Sequence, residues 1–228
     1  MHKKSSIDLN TVMTSSVHDM KNSLSLILNT IDHLCDDKDL PANRRDSLEL
    51  LRREGTRLNN TFMQLLSLYR IENKQYVANI ENYNVHDCLE ELGLENEPLL
   101  SKHNLDLSID CDEQLYWFFD RALILGTLNT ILNNAFRYAR RRVKVSANRV
   151  DAELVICILD DGEGYPEQML CNQSERQADL NFHSGNTGLG LYFADVVAQL
   201  HQNKDRFGRI EISNAGINNG GKFAIYLP

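Results

Sequence analysis

The sequence lacks the features that define membrane, secreted and nucleic-acid-binding proteins. No apolar run approaches the roughly 20 residues that span a bilayer, and no apolar signal-peptide core follows the basic start Met-His-Lys-Lys. Positive charge is not in excess, because the formal net charge is -8 at pH 7, whereas nucleic-acid binding needs a basic face. We therefore expect a cytoplasmic protein with no membrane segment in this chain and no nucleic-acid partner.

Paired cysteines are also missing. The five cysteines form no Cys-x-x-Cys pair, and their number is odd: Cys35, Cys88, Cys111, Cys157 and Cys171. This pattern favours reduced, buried thiols over a disulfide framework or a metal site. With 42% hydrophobic residues, the 228-residue chain is long enough for two modest globular units, each with its own core.

Two helical heptad patterns occupy the N-terminal part of the chain. The first has apolar residues at alternating separations of 4 and 3: Met13, Val17, Met20, Leu24, Ile27, Ile31 and Leu34. The second follows a polar break and Pro41: Leu48, Leu51, Gly55, Leu58, Phe62, Leu65 and Tyr69. Two matched helices predict an antiparallel hairpin over residues 1–73. Because one hairpin leaves an apolar stripe uncovered, we expect a homodimer with a four-helix bundle.

Residues 74–228 show a different pattern, in which helices and strands are mixed. Helices are predicted near residues 85–100, 119–138 and 188–200. Strands are predicted near residues 75–80, 105–109, 142–147, 153–159, 209–213 and 222–227. Helices packed on one face of a mixed sheet, an α+β sandwich, account for this order.

His18 is the first candidate for chemistry. It follows Val17 of the heptad pattern, and a rotation of about 100° per residue turns it away from the core. A neutral imidazole on a rigid helix can accept a phosphoryl group. Asp19 is placed to hold the proton of one ring nitrogen, and Asn22 lies one turn further on the same face. The simpler alternative is a surface histidine on a charged helix.

Three further segments suit a nucleotide. In residues 160–164 (DDGEG), glycines allow a close approach of backbone to ligand, and Asp160 can accept a hydrogen bond from an exocyclic amine such as that of adenine. Residues 185–190 (GNTGLG) open a helix and present free amides to phosphate oxygens, without the Gly-Lys-Ser/Thr of a Walker loop. Asn134 lies in an otherwise apolar helix as a candidate oxygen ligand for Mg²⁺, and Arg137 can reach a phosphate. The plainer alternatives are a tight turn, a flexible loop with a helix cap, and a polar cap on core packing.

Together these segments resemble a bacterial sensor histidine kinase of the two-component type, over nearly the whole chain. Residues 18–24 resemble the H-box, 134–138 the N-box, 160–164 the G1 box, 187–191 the G2 box, and 220–223 the terminal glycine motif. The resemblance implies a dimerisation and histidine phosphotransfer domain over residues 1–73. It implies a catalytic ATP-binding domain of the Bergerat type over residues 74–228.

The resemblance also implies roles for individual residues. His18 would be the phosphoacceptor, Asp19 its base or orienting partner, and Asn22 the residue that orients water for dephosphorylation of a response regulator. The nucleotide-binding residues that it implies are Asn134, which would also hold Mg²⁺, Arg137, Tyr138, Asp160, Gly162, Gly164, Thr187, Gly188, Leu189 and Gly190. The expected activity is autophosphorylation of His18 from ATP, followed by transfer to an aspartate of a response regulator receiver domain. Because few residues precede the first helix, we expect the input to come from a separate sensor protein or from a longer chain.

Some positions depart from the family pattern. Thr130 stands where the family often has a first N-box asparagine, Asn186 replaces the first glycine of the G2 box, and Ser23 replaces a proline after the H-box. Residues 169–185 are expected to form a mobile lid, with Phe182 as the best candidate for its phenylalanine. The departures leave open a phosphotransfer or scaffold protein with a degenerate ATP domain. An ATPase or serine kinase of the wider Bergerat group is a second alternative, but it would lack the hairpin that bears His18.

Overall fold

The computed structural model describes residues 9–35, 41–171 and 189–228. The chain divides into two compact units, Met1–Val77 and Ala78–Pro228. Among the described helices, none is long and apolar enough to cross a membrane.

The first unit contains two long helices, α1 (Leu9–Cys35) and α2 (Ala42–Glu72). Pro41 precedes α2, and its carbonyl accepts the first hydrogen bonds of the helix from the amides of Arg44 and Arg45. The helices pack closely where α2 has Gly55, because a Cβ there would lie 2.8 Å from Leu28 Cδ2. Four residues further along α1, Asp32 forms an ion pair with Arg52, which lies three residues before Gly55 on α2. The contacts therefore move forward along α1 and backward along α2. The two helices therefore form the antiparallel hairpin expected from the sequence.

Only part of the heptad pattern on α1 is buried within one hairpin. Leu24 and Ile31 are 9% and 8% exposed, whereas Met20, Ile27 and Leu34 are 49%, 53% and 48% exposed. The exposed residues recur every seven positions and form a stripe along the helix. On α2 the same spacing gives a second exposed stripe, made by Leu51, Leu58 and Leu65.

The second unit combines helices with β-sheets. Its helices are α3 (Val85–His103), α4 (Arg121–Tyr138), α5 (Glu167–Cys171) and α6 (Leu189–Leu200). Its strands are β1 (Ile80–Asn84), β2 (Asp106–Cys111), β3 (Tyr116–Asp120), β4 (Arg142–Val150), β5 (Glu153–Asp160), β6 (Gln202–Asn203), β7 (Arg206–Phe207), β8 (Arg209–Ser213) and β9 (Lys222–Leu227). A short 3-10 helix, Ile217–Asn219, lies between β8 and β9.

A five-stranded mixed sheet forms the centre of this unit. Its strand order is β2-β4-β5-β9-β8, with β2 parallel to β4 and the other neighbours antiparallel. The core lies between this sheet and the helices, and its most buried members include Leu132 of α4, Leu154, Ile156 and Ile158 of β5, and Val197 of α6. The α+β sandwich predicted from the sequence is therefore confirmed. Two smaller sheets, β1-β3 and β6-β7, complete the unit.

The start of α4 differs from the sequence prediction. A helix was expected from residue 119, but Phe119 and Asp120 end strand β3. The helix begins after Asp120, because the Asp120 carboxylate accepts a hydrogen bond from the Leu123 amide at 3.0 Å and caps the helix. Strand β1 also begins later than expected, at Ile80, and pairs with the unpredicted β3.

The described cysteines are free thiols. Cys88 is buried, but Cys35, Cys111 and Cys157 are partly exposed. The expected burial is therefore observed for Cys88 alone among these four. Cys157 is partly exposed because it alternates along β5 with the buried Ile156 and Ile158, so its side chain leaves the sheet on the face away from the helices.

Candidate functional site

A buried carboxylate at the end of β5 is the first element of the site. The Asp160 side chain is 9% exposed, and its Oδ1 accepts hydrogen bonds from the amides of Gly162 at 2.8 Å and Gly221 at 3.2 Å. The Asp160 amide in turn donates to the Gly221 carbonyl at 3.0 Å. These bonds fix the carboxylate, and no described hydrogen bond involves its Oδ2. A Cβ at Gly221 would lie 2.6 Å from Oδ2, so glycine keeps the space beside this atom clear.

The turn after Asp160 lies against the C-terminal end of α4. A Cβ at Gly162 would lie 2.5 Å from the Tyr138 carbonyl oxygen and 2.8 Å from Asp160 Oδ1. Only glycine fits between these two groups without a backbone shift. The contact brings the predicted G1 turn and the predicted N-box helix together.

Asp161, the next residue, is a structural anchor that the sequence did not reveal. Its Oδ1 accepts three backbone hydrogen bonds, from the amides of Arg140 at 2.9 Å and of Arg141 and Arg142 at 3.0 Å each. Burial alone would raise the pKa of Asp161, but these amides and the guanidinium of Arg142 outweigh it and hold the pKa below its usual value. The carboxylate therefore ties the connection between α4 and β4 to the G1 turn. The partners lie about 20 positions away, so no local pattern could have identified the role.

Gly164, the second glycine of the G1 turn, has a left-handed backbone conformation. Gly164 has φ +80°, and a Cβ there would lie 2.6 Å from Asn214 Oδ1. Asn214 lies on the connection between β8 and β9. Its role was not predicted from the sequence, because its partners are distant in the chain. Both conformation and space therefore require glycine at position 164.

The predicted N-box residues lie on the outer face of α4. Asn134, Arg137 and Tyr138 are all exposed. The start of α6 lies against the same helix, because a Cβ at Gly190 would lie 3.1 Å from Thr130 Cγ2 and 3.8 Å from Asn134 Nδ2. The Thr130 hydroxyl donates to the Gly126 carbonyl of its own helix at 2.9 Å. The departure at position 130 therefore places a methyl group, not an amide, against α6.

These contacts form one continuous surface. Asp160 joins Gly162, Gly162 meets Tyr138, Asn134 lies one helical turn before Tyr138, and Asn134 meets Gly190. The surface combines a fixed carboxylate, closely approachable backbone and an exposed carboxamide. The carboxylate suits the amine of a purine, and the carboxamide oxygen is a ligand type that Mg²⁺ accepts together with phosphate oxygens. The residues present therefore fit a nucleotide with a divalent cation.

Other predicted residues of the nucleotide region are described only in part. Leu189 and Gly190 are buried at the first positions of α6. Thr187, Gly188, Asn186 and the lid candidate Phe182 lie outside the described residues. Of the predicted lid, only its first three residues are described, and they belong to α5.

The predicted phosphoacceptor segment lies on α1. His18 is part of this helix, although its side chain is not among those described, while Asp19 and Asn22 are exposed. The Ser23 hydroxyl donates to the Asp19 carbonyl at 2.9 Å, and α1 continues without interruption through this position. A groove of about 460 Å³ begins beside this segment. It is lined by Asp19, Met20, Ser23, Leu24, Ile27, Leu58 and Phe62.

Known proteins that are similar to this chain include sensor histidine kinases and related ATPases. Residues 120–228 match the family described as histidine kinase-, DNA gyrase B-, and HSP90-like ATPase. The sensor histidine kinase RppB of Synechocystis is 24% identical over 222 residues, covering 94% of this chain and 48% of RppB. The sensor protein SrrB of Staphylococcus aureus is 22% identical over 218 residues, covering 92% of this chain and 36% of SrrB. The chain thus spans about half or less of the length of these curated relatives.

Solved structures show the same fold. The Acinetobacter baumannii histidine kinase AdeS aligns with a TM-score of 0.61 and 20% identity, covering 92% of this chain and 96% of that one. Full-length ShkA in complex with AMPPNP aligns with a TM-score of 0.69 and 15% identity, covering 96% of this chain and 45% of that one.

Proposed function

Because residues 120–228 match the ATPase family of histidine kinases, DNA gyrase B and HSP90, and the chain resembles two-component sensor histidine kinases over nearly its whole length, we propose that it is an ATP-dependent protein-histidine kinase. The observation that carries the proposal is the fixed Asp160 carboxylate, whose Oδ2 faces a space kept clear by Gly221. Such a group reads an adenine amine, which distinguishes ATP from a simple polyphosphate.

The nucleotide is held in two places. Asp160 Oδ2 accepts a hydrogen bond from the exocyclic amine of adenine, in the space beside Gly221. Asn134 would hold Mg²⁺ through its carboxamide oxygen, and the bound ion would supply positive charge that offsets the negative charge of the phosphates. Arg137 and Tyr138 extend the same face of α4 towards the nucleotide. The amides at the start of α6, with those of Thr187 and Gly188, steady the phosphate oxygens.

His18 receives the phosphoryl group. The lone pair of one ring nitrogen attacks the γ-phosphorus in line, the bond from that phosphorus to the β,γ-bridging oxygen breaks, and ADP leaves. Asp19 holds or accepts the proton of the other ring nitrogen, so that the attacking nitrogen keeps its lone pair. The phosphoryl group then passes to an aspartate of a response regulator receiver domain, which docks on α1 near His18.

The exposed stripes of the hairpin support the proposal that the chain forms a dimer. Six apolar side chains that recur every seven residues are 46% to 56% exposed: Met20, Ile27, Leu34, Leu51, Leu58 and Leu65. A second copy of the hairpin would cover both stripes in a four-helix bundle. We also propose that Asn22 orients water for dephosphorylation of the regulator.

Replacement of His18 tests the acceptor assignment. His18→Gln should abolish labelling by γ-labelled ATP while leaving ATP binding intact. His33→Gln is the matched control, because His33 is an exposed histidine on the same helix and should leave labelling unchanged. The wild-type label should be acid-labile and base-stable, as expected for phosphohistidine. Labelling retained by His18→Gln would refute the assignment, and absence of Mg²⁺-dependent ATP binding by the wild type would favour the phosphotransfer or scaffold alternative with a degenerate ATP domain.

A further inference from the structure

A side-chain clamp holds the backbone on the far side of the G1 turn. Asn214 Oδ1 accepts a hydrogen bond from the Tyr165 amide at 2.6 Å, and Asn214 Nδ2 donates to the Tyr165 carbonyl at 3.0 Å. Both polar atoms of one carboxamide thus pair with both backbone polar groups of one residue. A two-point contact fixes the orientation of a backbone segment more tightly than a single hydrogen bond does.

The clamp and the preceding glycine are fitted to each other. Gly164 has φ +80°, and its missing Cβ is what allows Asn214 to approach, since that atom would lie 2.6 Å from Asn214 Oδ1 and 2.7 Å from Asn214 Cγ. The connection between β8 and β9 therefore contacts the G1 turn through Asn214 as well as through Gly221. Gly221 contacts Asp160, at the start of the turn, and Asn214 contacts Tyr165, just after its end.

The ring of Tyr165 borders the space in front of Asp160. A Cβ at Gly221 would lie 2.6 Å from Asp160 Oδ2 and 3.3 Å from Tyr165 Cε2. The carboxylate and the aromatic ring therefore flank the same small space, which the glycine leaves open. A flat base whose amine reaches Oδ2 would pass beside the ring, where contact with an aromatic side chain adds favourable apolar area.

We propose that Asn214 is a positioning residue for recognition of the purine base. By clamping the backbone of Tyr165, it holds the Tyr165 ring and the second half of the G1 turn in the place that the base requires. The inference rests on the proposed function, because it takes ATP as the ligand. Asn214 contacts neither α4 nor the start of α6 through any described hydrogen bond, so it should act on the base and not on the triphosphate.

Binding measurements with and without the base test this role in the full chain. Calorimetry should show that Asn214→Ala weakens ATP binding by about tenfold, the effect expected from loss of a partly buried pair of hydrogen bonds. Magnesium tripolyphosphate, which has phosphates but no base, should bind the variant and the wild type equally. In autophosphorylation the variant should raise the KM for ATP by a similar factor and leave the rate at saturating ATP within about twofold.

Two further variants separate positioning from general stability. Asn148→Ala, at an exposed asparagine on β4 of the same unit, should leave both affinities unchanged. Asn214→Asp keeps the acceptor for the Tyr165 amide but sets an oxygen against the Tyr165 carbonyl, so it should not restore ATP affinity. Unchanged ATP affinity in Asn214→Ala would overturn the inference, and so would an equal loss of tripolyphosphate affinity with a lower saturated rate.

The two proposals fail in different ways. Binding does not require His18, so a chain that binds ATP without phosphorylating His18 would refute the kinase assignment and leave the role of Asn214 to be decided by its own variants. A wild-type chain with no measurable ATP affinity would overturn both.

Discussion

Individual residues of the site are held mainly by backbone groups of other segments. Asp160 is oriented by the amides of Gly162 and Gly221, and Asp161 by three successive amides of the connection between α4 and β4. These amide bonds give both carboxylates a fixed orientation, and those to Asp161, together with Arg142, hold its pKa below the usual value despite its burial. Because the turn is so closely packed, a single added methyl group is enough to test it.

Gly162→Ala should disrupt the turn. Its Cβ would lie 2.5 Å from a backbone oxygen that cannot rotate away, so the turn must move, and Asp160 with it. We expect a loss of about 1–3 kcal/mol in the free energy of unfolding, together with at least a tenfold loss of ATP affinity. Urea titration and calorimetry measure the two effects. Gly126→Ala is the control, because a Cβ there meets nothing within 4 Å and should stabilise α4 by about 0.5–1 kcal/mol. ATP binding by Gly162→Ala at wild-type affinity would contradict the packing described here.

A buried histidine gives the second unit a pH dependence. His201 Nε2 accepts a hydrogen bond from the Asp120 amide at 2.9 Å, so the proton lies on Nδ1, which donates to the Val197 carbonyl at 2.8 Å. Burial lowers the pKa of His201, although the Val197 carbonyl and the Asp120 charge oppose this effect. The unfolded chain therefore binds the proton more readily than the folded one. The stabilising contribution is fully present above the unfolded value of about 6.5 and declines as the pH falls below it.

His201→Gln should reveal this contribution. We expect the variant to lose about 1–3 kcal/mol in the free energy of unfolding at pH 7.5, because buried polar partners lose their bonds. Its stability should change less between pH 7.5 and pH 5 than that of the wild type. Urea titrations at several pH values measure the slope, and His33→Gln, at an exposed histidine of α1, should keep the wild-type slope. A wild-type slope in His201→Gln would show that other groups cause the acid sensitivity.

At the scale of elements, the periodic spacing of apolar residues was enough to predict helices and strands whose buried side chains recur regularly. The two heptad helices and the strands of the central sheet were predicted because their buried side chains recur at fixed intervals. The predicted start of α4 was wrong, because Phe119 and Asp120 end strand β3 and the Asp120 side chain caps the helix. The candidate residues of the site were predicted from short glycine and asparagine patterns. His201 and Asn214 were not, because their contacts join residues 81 and 49 positions apart.

The exposed stripe on α1 makes a prediction about assembly. Ile27→Asp places a charge in the apolar seam that a second hairpin would cover, so the chain should become monomeric. Leu26→Asp is the matched control, because Leu26 is 68% exposed and lies outside the heptad pattern, whereas Ile27 is 53% exposed within it. Light scattering after size-exclusion chromatography distinguishes the two masses. A dimeric Ile27→Asp variant, or a monomeric wild type at micromolar concentration, would contradict the proposed bundle.

At the scale of the whole molecule, the candidate nucleotide-binding residues lie in one unit, and the candidate phosphoacceptor and dimerisation surface lie in the other. The second unit holds the carboxylate, glycines and carboxamide that fit a nucleotide. The first carries the candidate acceptor on α1, and the apolar stripes of α1 and α2 suit a second copy. Nucleotide binding and dimerisation should therefore respond to different variants: Gly162→Ala should affect binding and leave the dimer intact, and Ile27→Asp the reverse. The activities that need both units, labelling of His18 and transfer to a regulator, should be sensitive to each.

Asn22 should separate the two activities proposed for the hairpin. It is exposed on α1, one turn after His18, and a carboxamide there can orient water towards the phosphorylated aspartate of a docked regulator. Asn22→Ala should therefore keep autophosphorylation within about twofold and slow regulator dephosphorylation by tenfold or more. The assay follows loss of label from a receiver domain that the wild-type chain phosphorylates. Asn29→Ala, at an exposed asparagine seven residues further on the same face, is the matched control and should keep the wild-type rate. An unchanged rate in Asn22→Ala would remove the phosphatase role and leave the kinase proposal intact, because the acceptor role proposed for His18 does not involve Asn22.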